Sequence, residues 1–365
     1  MEQNQQINVP HVVILPFPAQ GHIKPMMKLA ELLNHASSQV TFVNTNRNHD
    51  RLISHIDLTS FHDRSPKFLF KSIPDGLRPE ETISILNILQ VLDTLQAVAR
   101  PAFRELLISI ISDQCRPTCI IADGIMSFAA IDVAEELGIP VITFRTYSAS
   151  CTWTYFHLSK LVENGEVPFP DGNLDKSITC IPGYENVLLR RRDLPGYCRV
   201  ENDDDPVLQF FIEQTRIMTR ASALILNTFN ELEAPMISRL GSFYSKVYTI
   251  GPLHTLIKSR IKNSSSSLSD SSNVPMICWP QIADQQVNSM CVSEIWKIGF
   301  DMKDTCDRST VEKLVRDLIE SSKREEIMKS TDEFARLAAD SVKQGGSSYT
   351  NLEKLIEDIR SMSPN

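Results

Sequence analysis

The sequence predicts an α/β protein, a doubly wound parallel sheet followed by a short and largely helical tail. Three observations predict it. Short, continuous apolar runs alternate with stretches of helical periodicity over the first 250 residues, the pattern of a parallel sheet covered on both faces. Hydrophobic residues make up 42% and charged residues 22% of the 365, the balance of a globular chain with about two domains. Beyond a Ser-rich stretch, the remaining segments read as helices with room for only one or two strands.

The elements follow in order. Val12 to Leu15, Val40 to Val43 and Phe68 to Phe70 read as the first three strands, with a helix at Ile23 to His35 after the first. Thr82 to Ile111 has apolar residues at spacings of three and four and reads as a long helix, with Pro101 expected to kink or break it. Thr118 to Ala122 is a fourth strand, Phe128 to Leu137 a helix closed by Gly138, and Pro140 to Phe144 a fifth strand. Ala223 to Leu226 and Val247 to Ile250 are later strands around a helix at Glu231 to Leu240. These form one domain over residues 10–252. The segment Gly165 to Pro206, rich in Pro and charge, is a long excursion expected to lie over a site. Residues 253–273 read as a flexible linker, almost all Ser, Asp and Asn from Asn263 to Asn273. In the tail, 274–362, Pro275 to Trp279 reads as a buried strand and Phe300 to Met302 as a possible second. Helices are expected at Gln285 to Lys297, Ser309 to Ser322, Glu325 to Lys343 and Ser347 to Ser361.

Composition excludes several functions. Lys plus Arg is 37 and Asp plus Glu 45, so the net charge is −8, which argues against nucleic acid and anionic membranes as partners. No two of the 13 glycines are two residues apart, so the Gly-x-Gly-x-x-Gly fingerprint and the Walker loop are both absent. The eight cysteines include no Cys-x-x-Cys pair, and no metal or other bound cofactor is expected; Cys119 reads as strand packing. No apolar run reaches the roughly 18 residues needed to cross a bilayer, and the polar start lacks a signal core. A cytoplasmic monomer is the simplest expectation.

Ligands of open parallel sheets bind beyond the carboxyl ends of the strands, at the switch in strand order. The loop after strand one, Pro16 to His22, ends where a helix begins, and Asp123 follows strand four. In the usual doubly wound order those two strands are neighbours. His22 and Asp123 are then within hydrogen-bond reach, a pairing in which the carboxylate fixes the tautomer of an imidazole base. The alternative is that each simply caps a helix. On these features alone both remain open.

Longer stretches carry a specific resemblance. His11–Leu33 (HVVILPFPAQGHIKPMMKLAELL), Cys119–Thr146, Ala221–Glu233, Val247–Leu253 and Val274–Gly299 (VPMICWPQIADQQVNSMCVSEIWKIG) resemble plant UDP-dependent glycosyltransferases. The stretch Tyr197–Pro235 is most similar to members acting on the iridoid 7-deoxyloganetic acid. The resemblance implies a GT-B-like fold, two facing Rossmann-like halves with the acceptor on the first and the UDP-sugar on the second. It implies that His22 is the base that deprotonates the acceptor, that Asp123 is its partner, and that transfer inverts the anomeric carbon. It implies that UDP-glucose is the co-substrate. Thr146, Asp284 and Gln285 match positions that approach the sugar, and Gly21 joins them as a donor-side candidate. Phe128 and Ser148 are the candidates for touching the acceptor. The last helix, from Ser347, is implied to cross back onto the first domain.

The resemblance also exposes a gap. The family's donor signature opens with Trp-Ala-Pro-Gln and runs through a His-Cys-Gly-Trp-Asn-Ser-like turn, and this chain has neither. Val274-Pro275-Met276 follows the Ser-rich linker directly. The loss amounts to about four β–α units, roughly 120 residues, with the implied duties of stacking on uracil, holding ribose and binding diphosphate. The C-terminal part is therefore expected to be a truncated remnant with impaired donor binding. Three readings follow: a glucosyltransferase of iridoid, other terpenoid or flavonoid aglycones; a module that binds an aglycone without transfer; or an unstable product with neither activity. Among the remaining features, Arg190-Arg191-Arg192 reads as a solvated loop, Asp203-Asp204-Asp205 as a weak magnesium candidate, and Met26, Met27 and Trp279 as core.

Overall fold

The computed structural model describes residues 9–55, 57–77, 88–113, 115–169, 171–261, 274–320 and 322–362. Residues 82–87 of the expected long helix and the stretch Asn263–Asn273 lie outside them. A seven-stranded parallel sheet forms from β1 (His11–Leu15), β2 (Gln39–Thr45), β3 (Phe68–Ile73), β4 (Cys119–Asp123), β5 (Val141–Arg145), β6 (Ala223–Leu226) and β7 (Val247–Thr249). The order is β3-β2-β1-β4-β5-β6-β7, so β1 and β4 are neighbours with Leu15 opposite Ala122. The switch point falls between them, and the loops after both strands open at one edge.

Strands β1, β2, β4, β5 and β6 are buried on both faces, which is why they read as apolar runs, while the edge strand β3 leaves Leu69 and Lys71 exposed. Successive residues feed opposite layers. Val13, Leu15, Val43, Ile120 and Ala122 pack under α4 (Ile88–Ser112) and α5 (Ser127–Glu136). Val12, Ile14, Val40, Phe42 and Ile121 pack under α1 (Gln20–His35). Helix α4 continues through Pro101 rather than breaking there. Its inward stripe, Val91, Leu92, Leu95, Ala99, Phe103, Leu107 and Ile110, is fully or almost fully buried on both sides of the proline, and that packing outweighs the lost backbone bond.

Several elements escape the sequence pattern: α2 (Asn46–His55), α3 (Leu58–Arg64), α6 (Ala149–Tyr155), α7 (Leu158–Glu163) and α8 (Pro206–Met218). Helix α9 (Asn230–Leu240) matches its expected span closely. The expected linker begins instead with α10 (Leu253–Arg260), which buries Leu253, Leu256 and Ile257 in the layer shared with α1. Three apolar residues at helical spacing inside a polar stretch were enough to order it.

The tail holds a separate two-stranded sheet, β8 (Met276–Cys278) with β9 (Gly299–Asp301). Between them runs α11 (Gln285–Met290), continued by a π-helical turn at Cys291–Ile295 where one helix to Lys297 was expected. The strands approach so closely that a Cβ on Gly299 would sit 2.1 Å from the Met276 carbonyl oxygen. Pro275 to Trp279 is only half-buried where its apolar run reads as a buried strand, as the loss of its usual neighbour strands implies. Trp279 is 53% exposed and Val274 63%; among the described residues β8 pairs with β9 alone. Helices α12 (Arg308–Glu320) and α13 (Lys323–Ser341) follow.

The last helix, α14 (Ser347–Ser361), returns to the first sheet. Leu352, Leu355, Ile356 and Ile359 join the layer that holds α1 and β2. Lys246 on the β7 side pairs with Asp358 at 2.7 Å, Tyr248 donates to the same carboxylate, and Asn351 donates to Thr249 Oγ1 at 2.9 Å. The Ile359 side chain is fully buried. Ile359→Val is expected to cost about 1 kcal/mol and lower Tm by about 2–4 °C, read by thermal denaturation of the whole chain.

The three arginines at 190–192 are not a solvated loop. Arg191 is buried and pairs with Asp171 at 2.5 Å and Glu166 at 3.4 Å. Arg190 pairs with Asp193, and Arg192 with Asp175 and Asp304. The triplet pins the excursion to itself and to the tail, since carboxylates from three separate stretches converge on it.

Candidate active site

The site forms where the β1–α1 loop, the end of β4 and the end of β5 meet. His22 lies in the first turn of α1, and its Nδ1 is 2.7 Å from Asp123 Oδ2. The other carboxylate oxygen accepts the backbone N–H of Ile125 at 2.9 Å. Asp123 therefore does both things the sequence left open: it caps the 3₁₀ turn Gly124–Met126 and it holds the imidazole. His22 does not cap its helix; Ala19 stands at that position and the turn closes through backbone bonds. With Nδ1–H pointed at a carboxylate, the lone pair of Nε2 is left available, the tautomer a general base requires. Thr146 Oγ1 lies 3.1 Å from the same Nδ1. Phe17 and Tyr147 meet the imidazole edge to face, at 5.2 and 5.8 Å between ring centres. The ring is thus fixed in tautomer and in plane.

His22 opens on a cavity of about 830 Å³. Its wall is mainly apolar: Phe17, Ile88, Leu92, Ile125, Tyr147, Tyr197, Val200 and Phe211. Gly196, Arg199 and Asp205 come from the Pro-rich excursion, which covers the site as its sequence suggested, and Gln281, Ile282, Ala283 and Gln286 come from the tail. A cavity of this size and lining suits a small apolar molecule with a few polar groups.

The remaining candidates are distributed unevenly. Asp284 stands just before α11, next to the cavity, without a side-chain capping bond; burial raises its carboxyl pKa, and nearby His22 and Arg145 oppose that rise. Asn288 donates to Asp284 at 2.7 Å, and Ser148 donates to Asn288 Oδ1 at 2.6 Å. Ser148 thus holds a chain leading to Asp284 instead of lining the cavity. Gln285 turns back on its own loop, its Oε1 accepting the N–H of Gln281 at 2.8 Å, while Gln286 lines the cavity in its stead. Phe128 does not reach the cavity: it packs on Phe210, 6.2 Å between ring centres, and Ile125 from the preceding turn takes the wall position. Gly21 sits exposed at the helix start, with open space where a Cβ would go.

Two buried groups near the site gave no sequence signal. Glu233, 2% exposed, accepts from the N–H groups of Ala149 and Ser150 and from the Ser150 hydroxyl, all within 2.9 Å. Arg145 is buried between Tyr147 and Tyr155, about 5 Å from each ring centre. Among the described residues no cluster of His, Cys, Asp or Glu could hold a metal ion, and no helix is long and apolar enough to cross a membrane. An Asp284→Asn test follows from the burial. A carboxyl whose folded pKa is raised destabilises the fold at pH values above it and has no effect where it is protonated in both states. Asp284→Asn is expected to raise Tm near pH 7 and leave it unchanged near pH 3, measured by calorimetry.

Residues 8–171 match the model of the glycosyltransferase N-terminal domain. A 7-deoxyloganetic acid glucosyltransferase of Catharanthus roseus is 34% identical, over 98% of this chain and 99% of that protein. The chain belongs to the plant UDP-glycosyltransferase family. UDP-glycosyltransferase 85A5 of Arabidopsis thaliana is 31% identical over 96% of this glycosyltransferase and 97% of the relative. Among solved structures, a UDP-glucose: anthocyanidin 3-O-glucosyltransferase in complex with UDP superposes with a TM-score of 0.79 at 17% identity, over 98% of this chain and all of that one. A Medicago truncatula enzyme complexed with UDP-glucose, UGT71G1, gives 0.75 at 18%. The fold is GT-B. The alignment with the Catharanthus protein runs over 481 positions against 365 residues here, so more than a hundred have no counterpart in this glycosyltransferase. Both chains are covered almost end to end, so the missing positions are interior.

Proposed function

We propose that this chain is a UDP-glucose-dependent, inverting O-glucosyltransferase of small plant metabolites, iridoid and other terpenoid acids and alcohols first and flavonoids after. The observation that carries this reading is the His22–Asp123 pair opening on an apolar cavity. The acceptor hydroxyl gives its proton to His22 Nε2, and Asp123 stabilises the imidazolium that results. The acceptor oxygen then bonds to the anomeric carbon from the face opposite UDP, and the bond to UDP breaks with inversion. Thr146 and Asp284 would hold sugar hydroxyls; the contact of Thr146 Oγ1 with His22 and the influence of His22 on the Asp284 carboxyl support this assignment. Relatives named for 7-deoxyloganetic acid and for 7-deoxyloganetin support the iridoid class.

The donor side supports a weaker function than the acceptor side. The interior gap and the two-stranded β8–β9 sheet favour poor UDP binding, and in the extreme an aglycone-binding module without transfer. The test has two parts. Calorimetric titration with UDP is expected to give a dissociation constant weaker than about 0.1 mM. Incubation with UDP-glucose and 7-deoxyloganetic acid is expected to yield slow formation of the glucoside with release of UDP. Saturable aglycone binding with no product, and no UDP heat at several millimolar, would replace this reading with the binding module.

A further inference from the structure

A second cavity, about 690 Å³, lies beside the first. The two share Ala19 in the β1–α1 loop, and Asn48 on α2 donates to the Pro18 carbonyl at 3.0 Å, fixing that shared loop. Where the first cavity is apolar, the second is basic. Among the described residues, Lys24, Arg47, Arg51 and His55 line it, against one carboxylate, Asp75. Asp75 is buried and uses Oδ1 to accept the Leu77 N–H at 3.0 Å.

This gathering of cations stands out in a chain of net charge −8. Arg100, Arg104, Arg190, Arg191, Arg192, Arg216 and Arg220 all pair with carboxylates. Lys24 and Arg51 have no carboxylate within 4.0 Å among the described residues. Thr45, at the carboxyl end of β2, also forms part of this wall; it is 4% exposed and its hydroxyl has no hydrogen-bond partner. A buried hydroxyl without a partner is a costly arrangement unless an acceptor arrives to fill it, and the exposed cations beside it favour an anionic one.

We propose that this basic cavity binds the carboxylate of the acceptor, with Lys24 and Arg51 as charge partners and the Thr45 hydroxyl as a donor. The preferred substrates are then small hydroxy acids, the hydroxyl at His22 and the anionic end across the β1–α1 loop. This inference rests on the proposed transferase reading for the identity of the ligand. The distinction it draws, acid over ester, belongs to the cavity itself.

The experiment is equilibrium binding of 7-deoxyloganetic acid and of its methyl ester to the full chain and to a Lys24→Gln/Arg51→Gln double variant. The wild type is expected to bind the acid about tenfold tighter than the ester, the worth of one charge-assisted hydrogen bond. Raising the salt from about 50 to 500 mM should erode the acid's advantage only in part, because the hydroxyl contact is buried. The double variant should lose the preference and keep its affinity for the ester, which also shows that it is folded. Equal affinity for acid and ester in the wild type, no binding of either, or a preference that survives in the double variant would overturn the subsite. Product formation is read separately. Absence of transfer with the acid preference intact counts against the proposed reaction and leaves the subsite standing.

Discussion

His22→Ala is expected to lower glucosyl transfer by about 10²- to 10⁴-fold, the contribution of a positioned general base, with Tm shifted by no more than about 2 °C. The small stability change follows from the ring's surroundings: the side chain is 14% exposed, and its contacts are edge-to-face with Phe17 and Tyr147. Asp123→Asn is the sharper companion. The oxygen of the new amide would stay on the Ile125 N–H, a buried donor that needs it. That places the amide N–H₂ against His22 Nδ1, which must then accept, and the proton moves to Nε2. The base is lost without losing the side chain. Transfer is expected to fall nearly as far as in His22→Ala, while nitrogen chemical shifts of the imidazole report the exchanged tautomer. Unchanged transfer in either variant would remove His22 from the mechanism.

Glu233→Ala is expected to destabilise the fold by about 3–5 kcal/mol, the cost of breaking a buried charged network by removing one side of it. Three donors at the start of α6 lose their acceptor at once, and water does not reach them. At about 2–4 °C per kcal/mol for a unit of this size, Tm should fall by roughly 6–20 °C. The effect should extend to the site. Ser148 caps α6 by accepting the Cys151 N–H at 3.0 Å and also holds the Asn288–Asp284 chain. Aglycone binding measured well below the new Tm should weaken as well. A drop of only a degree or two would show that the carboxylate is dispensable.

What could be read in the sequence was the sheet and its edge. Strands buried on both faces announce themselves as apolar runs, and doubly wound order put β1 beside β4, which brought His22 to Asp123. The short helices α2, α3 and α6 were missed because none is long enough to show a clear period. Arg191 looked solvated because charge in a loop carries no mark of its partners; Asp171 and Glu166 lie 20 and 25 residues away. Glu233 carried no signal of its own within the helix expected at Glu231 to Leu240. Its role depends on a break in helical geometry at that residue, φ −135°, which turns the carboxylate inward. Trp279 was expected in a core because it lies in the same apolar stretch as β8; among the described residues that strand has one neighbour, β9. Phe128 stands in the first turn of α5, just past the site, and the 3₁₀ turn ahead of it puts Ile125 on the wall instead.

The return of α14 to the first sheet changes what kind of genetic damage this architecture can absorb. The final helix supplies buried wall to a domain whose strands were completed a hundred residues earlier. A stop codon anywhere ahead of Ser347 would strip that wall away and injure the half of the protein it never reached. An in-frame loss from the middle leaves both the sheet and its last covering helix encoded. A lineage shedding its donor half could therefore keep a sound acceptor half only by losing interior sequence, and the more than one hundred absent positions lie on the survivable side of that divide.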